Sequence, residues 1–557
     1  MRRRTALLQG AALAAGPALL AGCAPAAPRD LPGGFAGTAV ERGHLLRDPA
    51  RVLASPPAVV RRTGVVIAGG GIAGLAAARA LRQSGADDFA LLELEDTAGG
   101  NSRAGAVGGI ACPLGAHYLP APGDDAAPVQ DLLEELGLRR HVAGRWTYDE
   151  RHLCHSPQER LFFRGAWQEG LLPVQDVGAA TLAAYRGFAD RVVALQRAAH
   201  FAIPVQKSAF APVQLALDAM TFGAWLDREQ LTDPYLRWYL DYCCRDDYGA
   251  GLGTVSAWAG IHYFASRHGF HAPGDGDAER EPVLTWPEGN GFLARALAAP
   301  LGDRMQPART VLRIDDRGRA GVAVDAWDHR AQRLERWEAP RCIVALPLHV
   351  AARVVAAPSA RLRTAAAATR HAPWLVANLQ LDGPLQDRPG AAPAWDNVVY
   401  RDAADAGDAD AAAWGRGLGY VDARHQTLDP TPGPTVLSCY RALGDLPGGR
   451  AALLERPWQA WRDAVMAELA LPHPDIAARA VRMEITRYGH AMAVPVPGTL
   501  QRIGLQRPPD LRRALSKPEH MAVRDGRLLF AHADWSGYSI FEEAFVRGDA
   551  AGRAAAA

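Results

Sequence analysis

Apolar positions fall along this chain in two rhythms, one continuous and one helical, and they alternate in a regular order. Val65-Val66-Ile67-Ala68 is an unbroken run of mostly β-branched residues. With no polar position inside it, the run predicts a parallel strand covered on both faces. Glycines at 69, 70, 71 and 74 interrupt it, and an alanine-rich run from Leu75 to Leu81 then reads as a helix that Gly85 stops. Phe89 to Leu92 predicts a second strand, closed by Glu93. Further on, Val129 to Leu136 has the spacing of an amphipathic helix ended by Gly137. Strands are expected around Val311, at Val322 to Ala326, at Cys342 to Pro347 and at Ala372 to Leu381, with a strand, turn and helix from Leu528 to Ala544. Ser539 and Glu542 have capping-box spacing, so that last helix is expected to begin there. From about Arg151 to Glu281 the texture changes to aromatic-rich hairpin and helix, including Leu161 to Trp167 and Ser256 to Ser266.

The glycine stretch gives the pattern its chemistry. Gly69, Gly71 and Gly74 fill the three positions of a dinucleotide fingerprint: a tight turn, a close approach of backbone to phosphate, and close packing of the new helix on the strand. The helix N-terminus then faces an anion. Glu93 lies nineteen residues after Gly74, where an acidic side chain accepts hydrogen bonds from a ribose. The fold class expected is therefore α/β, with a Rossmann-type cofactor domain interleaved with an α+β substrate domain.

After Glu93 the chain continues Leu-Glu-Asp-Thr-Ala-Gly99-Gly100-Asn-Ser-Arg. This resembles the double-glycine segment of the FAD-dependent amine oxidase and phytoene desaturase superfamily, which favours FAD over NAD. Pro113 to Tyr118 resembles the superfamily's segment under the flavin ring, and the backbone at Val311 matches the residue that meets adenine. The resemblance also implies that Asp534 binds the ribityl phosphate region and that the final helix points its N-terminus at the flavin's pyrimidine edge, where reduced flavin is negative. Trp535-Ser536-Gly537-Tyr538 is similar to a tetrapeptide of the monoamine oxidases, which makes Tyr538 one wall of an aromatic cage. Tyr488 or His490 matches the position of the second aromatic group. Many relatives carry a lysine on the strand corresponding to Ala372 to Leu381; here the only lysines are Lys207 and Lys517. The resemblance covers about 250 residues, all in the cofactor domain. It implies a flavoenzyme that oxidises an amine or amino-acid-like small molecule by hydride transfer to flavin N5. Two alternatives are a desaturase or isomerase acting on a lipid or isoprenoid, and a flavin-binding envelope lipoprotein without turnover.

Composition narrows the partners. The chain has 557 residues, 49% hydrophobic and 22% charged, with a formal net charge of +1, and nothing in it suggests nucleic-acid binding. Met1-Arg-Arg-Arg precedes an apolar run from Ala6 to Leu20 that is too short to span a bilayer and reads as an export signal. The arginines resemble a twin-arginine signal, and Leu20-Ala21-Gly22-Cys23 resembles a lipobox. Cys23 is then the acylated first residue of an exported, periplasmic or envelope lipoprotein, and the lipid is its only expected membrane contact. The other cysteines, at 112, 154, 243, 244, 342 and 439, lack disulfide or metal spacing and are expected to be free and buried. No metal site is expected; the polar loop His268 to Glu281 has no rigid element to fix coordination. The domains read as signal 1–22, tether 23–57, cofactor domain 58–150, 282–350 and 481–557, and substrate domain 151–281 and 351–480. The Ala- and Asp-rich stretch Asp402 to Ala413 reads as an exposed loop.

Overall fold

The computed structural model describes residues 31–267, 269–274, 282–401, 416–427, 429, 431–505, 507 and 517–557. The expected signal, Cys23, the Asp402 to Ala413 loop and much of the His268 to Glu281 loop lie outside those residues.

Val65–Ala68 is one of the two central strands of a six-stranded sheet. Its order is Met305–Gln306, Phe89–Leu92, Val65–Ala68, Arg341–Val344, Leu528–Phe530, Val523–Asp525. The first five run parallel and the last turns back antiparallel. Alternate residues of the one short strand enter two different cores. Val65 and Ile67 pack with the helices Ile72–Gln83 and Phe541–Ala556, while Val66 and Ala68 pack with a four-stranded sheet that includes Val311, Val324 and Trp337. This is why the run has no polar member, and burying each of its larger side chains stabilises the fold by about 2 kcal/mol.

The helix Phe541–Ala556 lies against Ile72–Gln83 at backbone distance. A Cβ on Gly548 would stand 2.1 Å from the Ala73 carbonyl oxygen, and one on Gly552 would stand 2.4 Å from that of Ala77. Small residues thereby let these two helices of the cofactor unit approach at backbone distance.

The second large sheet has eight strands in the order Gly33–Phe35, Ala480–Val494, Arg370–Leu381, Thr435–Ala442, Gly417–Asp422, Asp396–Val399, Glu159–Phe163, Ala166–Glu169. Five helices, Ala179–Ala198, Pro212–Asp218, Phe222–Arg228, Pro234–Tyr248 and Ala257–Ala265, build an aromatic core beside it. Two expected boundaries are corrected here. Residues 31–57 are not all tether: Gly33–Phe35 pairs in parallel with Met483 to Ile485, and two short helices follow. The strand Ala480–Val494, expected to open the last segment of the cofactor domain at 481, pairs along its length with Arg370–Leu381 and so belongs to the larger sheet. The six cysteines among the described residues are free and buried, as expected. No helix among the described residues is long and apolar enough to cross a membrane.

Candidate active site

Each glycine of the fingerprint can be tested by what a Cβ would meet. At Gly69, φ is +103° and a Cβ would fall 2.3 Å from the Ala345 carbonyl oxygen; at Gly74 it would fall 1.9 Å from that of Gly69. Both positions exclude a side chain on account of the protein itself. At Gly71 the nearest atom is Gly100 Cα, 3.9 Å away, so the protein leaves that position open. Gly71 is also the N-cap of Ile72–Gln83, with no side chain capping the helix. Free N–H groups face the opening, the arrangement that holds a pyrophosphate. The double glycine closes the far side: Gly99 N–H donates to the Gly70 carbonyl at 2.8 Å, and Gly71 bridges to Gly99.

Glu93 stands at the strand end next to this turn. Its Oε2 accepts from Gly70 N–H at 2.7 Å and its Oε1 from Glu95 N–H at 2.8 Å. Burial raises its carboxyl above the usual range against the pull of those two donors. Arg309 N–H donates to the Glu93 carbonyl at 2.7 Å, which brings the strand carrying Val311 against the same rim. Gly69, Gly71, Gly74, Glu93, Gly99, Gly100 and Val311 thus converge, and the open Gly71 position fits a dinucleotide such as FAD.

Asp534 is placed differently from expectation. Its Oδ2 accepts from Leu348 N–H and from His371 Nε2, both at 2.9 Å, and its Oδ1 lies 3.2 Å from His532 Nδ1. Burial pushes this carboxyl up, but His532 and His371 outweigh it and hold the group well below the usual range. Both oxygens are engaged inside the protein. Ser539 does not cap the last helix either: its hydroxyl accepts from Ala493 N–H at 3.0 Å, and the helix starts at Phe541 with an uncapped N-terminus.

The three expected catalytic side chains do not form one cage. Tyr538 is 1% exposed, hydrogen-bonded to His262 at 3.2 Å and edge-on to Tyr248, so its ring is covered by protein on all sides. Its assignment as a cage wall is corrected on that ground. Tyr488 does reach the expected region, with its hydroxyl 3.4 Å from where a Cβ on Gly115 would lie and without a hydrogen-bond partner in the structure. His490 is exposed at the edge of a cleft, stacked on His349.

A cluster that sequence reading missed occupies the ground between the Gly115 segment and the substrate domain. Tyr440 donates its hydroxyl to the Gly115 carbonyl at 3.0 Å and stacks on His117 at 4.4 Å; Trp395 lies 5.4 Å from His117 and 5.8 Å from Tyr118. The Tyr118 hydroxyl neighbours Asp246 and partly offsets the rise of its carboxyl. Burial, with neighbouring Asp247, pushes the Asp246 carboxyl up to about 7, and burial together with Asp246 and Glu159 raises Asp396 well above the carboxylate range. Burial also holds His117 neutral, at about 3. Asp246, Asp396, His117 and Tyr118 nonetheless retain accessible surface. Two neighbouring carboxyls and the aromatic rings of His117 and Tyr118 thus stand together with part of their surface accessible. Arg267, paired with Asp247 at 3.9 Å and over the Tyr263 ring, adds a cation at their side.

Comparison with known proteins agrees with this layout. No curated protein sequence matches the chain. Among solved structures, a double mutant of putrescine oxidase superposes with a TM-score of 0.62 at 18% identity, covering 89% of this chain and 99% of that one. Cyclohexylamine oxidase from Brevibacterium oxydans IH-35A gives 0.60 at 18% identity over 90% and 99%. A CLA-producing fatty acid isomerase from P. acnes gives 0.58 at 15% identity over 87% and 97%. At such identities the likeness establishes the fold, which amine and fatty-acid enzymes share. The sequence profile of flavin containing amine oxidoreductases matches residues 72–556, nearly the whole of the described fold, and the chain belongs to that family.

Proposed function

We propose that this FAD-dependent oxidoreductase oxidises a small amine that enters as a cation, and that Asp246 and Asp396 receive it. The carrying observation is the pair of deep, accessible carboxyls beside Tyr118, the last residue of the segment expected under the flavin ring. An ammonium entering there restores the charge that burial suppresses on the pair. Tyr118 orients Asp246, the Tyr440–His117–Trp395 wall excludes water, and Asp246 accepts the ammonium proton, leaving the neutral amine whose lone pair assists C–H cleavage. Bound flavin supplies the two-electron acceptor, with hydride received at N5.

Anaerobic mixing with an amine library should bleach the flavin absorption. If no amine bleaches it and unsaturated lipids do, the amine reading fails and the desaturase or isomerase takes its place. Asp246 works only when ionised, so kcat/KM should fall as pH drops through about 7. Asp246→Asn should remove that limb of the profile and lower kcat/KM by about 10²- to 10⁴-fold. We also propose export with lipidation at Cys23, supported by the arginine-rich start and the lipobox. Mass spectrometry of the mature N-terminus decides it, and an unmodified Met1 would refute it.

A further inference from the structure

Away from the fingerprint glycines, three segments distant in sequence bring imidazoles and a carboxylate together. His349 stands in the first turn of Leu348–Val354, next to the cofactor sheet. His371 and His490 lie on the paired strands Arg370–Leu381 and Ala480–Val494 of the other sheet. Asp534 follows the strand Leu528–Phe530. The ring centroids of His349 and His490 are 4.2 Å apart and those of His349 and His371 are 4.8 Å apart. One ligand atom each from His349, His371 and Asp534 falls within 4.8 Å of the others.

We propose that His349, His371 and Asp534 bind one divalent cation of the zinc class, with His490 as the fourth ligand on the solvent side. Metal–ligand bonds of about 2.0–2.1 Å place tetrahedral ligands about 3.3 Å apart. His371 Nε2 and Asp534 Oδ2 are already at 2.9 Å, sharing a proton that a metal would replace. Closing the remaining spread takes rotation of the two other rings. His349 Nδ1 is buried and has no hydrogen-bond partner, a condition that a metal bond relieves. Two imidazoles, a third on ring rotation and a carboxylate form a donor set that suits zinc rather than magnesium or calcium, which prefer all-oxygen shells.

The surroundings supply both access and order. A cleft of about 450 Å³, lined by all three histidines, reaches the cluster from solvent. Burial runs from His371, buried, through His349, half-buried, to His490, exposed, so an ion meets the outermost ligand first. Arg370 and Arg450 also border the cleft, but their guanidinium groups are bonded to the carbonyls of Gly444, Gly489 and His371. A metal here would pin the turn at Asp534 and the helix at His349 to two strands of the other sheet, acting as a clamp between the halves of the molecule.

The test is metal content, independent of turnover. Full-length holoenzyme stripped with a chelator and dialysed against zinc chloride, with magnesium chloride as control, should take up one zinc per chain and no magnesium, and its Tm should rise. His349→Ala and His490→Ala should each weaken zinc binding by about 10-fold or more, while flavin absorbance per chain stays as in the wild type. Failure of the holoenzyme to bind zinc, or binding unchanged in both variants, would overturn the proposal. Should His349→Ala fail to fold, His490→Ala decides alone, because its exposed ring supports no core.

Discussion

Gly71 and Gly74 stand three residues apart and require glycine for different reasons, which makes them a matched pair. Gly74→Ala forces a Cβ into the Gly69 carbonyl, so it should lower Tm and abolish flavin retention together. Gly71→Ala meets no protein atom nearer than 3.9 Å. It should leave the stability of the apoprotein within about 0.5 kcal/mol of wild type while sharply reducing the flavin absorbance that co-purifies. Equal losses of Tm in the two variants would mean that Gly71 serves the fold and not a ligand. These residues, with Glu93, were legible in the sequence because their demands are local: a turn, an approach, a strand end. Asp246, Asp396, His349 and His371 were not legible. Each is an unremarkable residue in its own segment and gains meaning only from partners more than twenty residues away or on another sheet.

Whole elements show where local reading misleads. The tetrapeptide ending in Tyr538 suggested a cage, yet its tyrosine closes the aromatic core of the helical region against His262 and Tyr248. Tyr538→Phe should therefore cost about 1 kcal/mol of stability through the lost hydrogen bond and leave KM for amines unchanged; a large rise in KM would return Tyr538 to the substrate site. Ser539 and Glu542 carried the spacing of a capping box, but a tertiary contact from Ala493 N–H takes the serine hydroxyl and the helix begins two residues later. Capping patterns fix a helix start only when no other donor competes for the same oxygen. In the same helix, Gly548→Val should destabilise the fold by about 1–3 kcal/mol or more, since the neighbour it meets is backbone and cannot move aside. Chemical denaturation measures this directly.

At the scale of the molecule, the two sheets are woven from segments that alternate along the chain, and the alternation of continuous and helical apolar runs made that visible in advance. Its limits were set by long-range pairing. Gly33–Phe35 is three residues in a Pro- and Gly-rich stretch and becomes a strand only because Met483 to Ile485 offers it an edge. The pairing spans most of the chain. The contact between Ile72–Gln83 and Phe541–Ala556 spans even more, and it has a consequence for biosynthesis. The helix whose N-terminus faces the dinucleotide opening is made hundreds of residues before the glycines that cover its back, Gly548 and Gly552. A chain ending before Phe541 should emerge with that face bare and hold no flavin, even with every fingerprint residue in place. Cofactor loading would then have to wait for synthesis of that later helix, so the flavin becomes a stamp that only chains carrying it can hold.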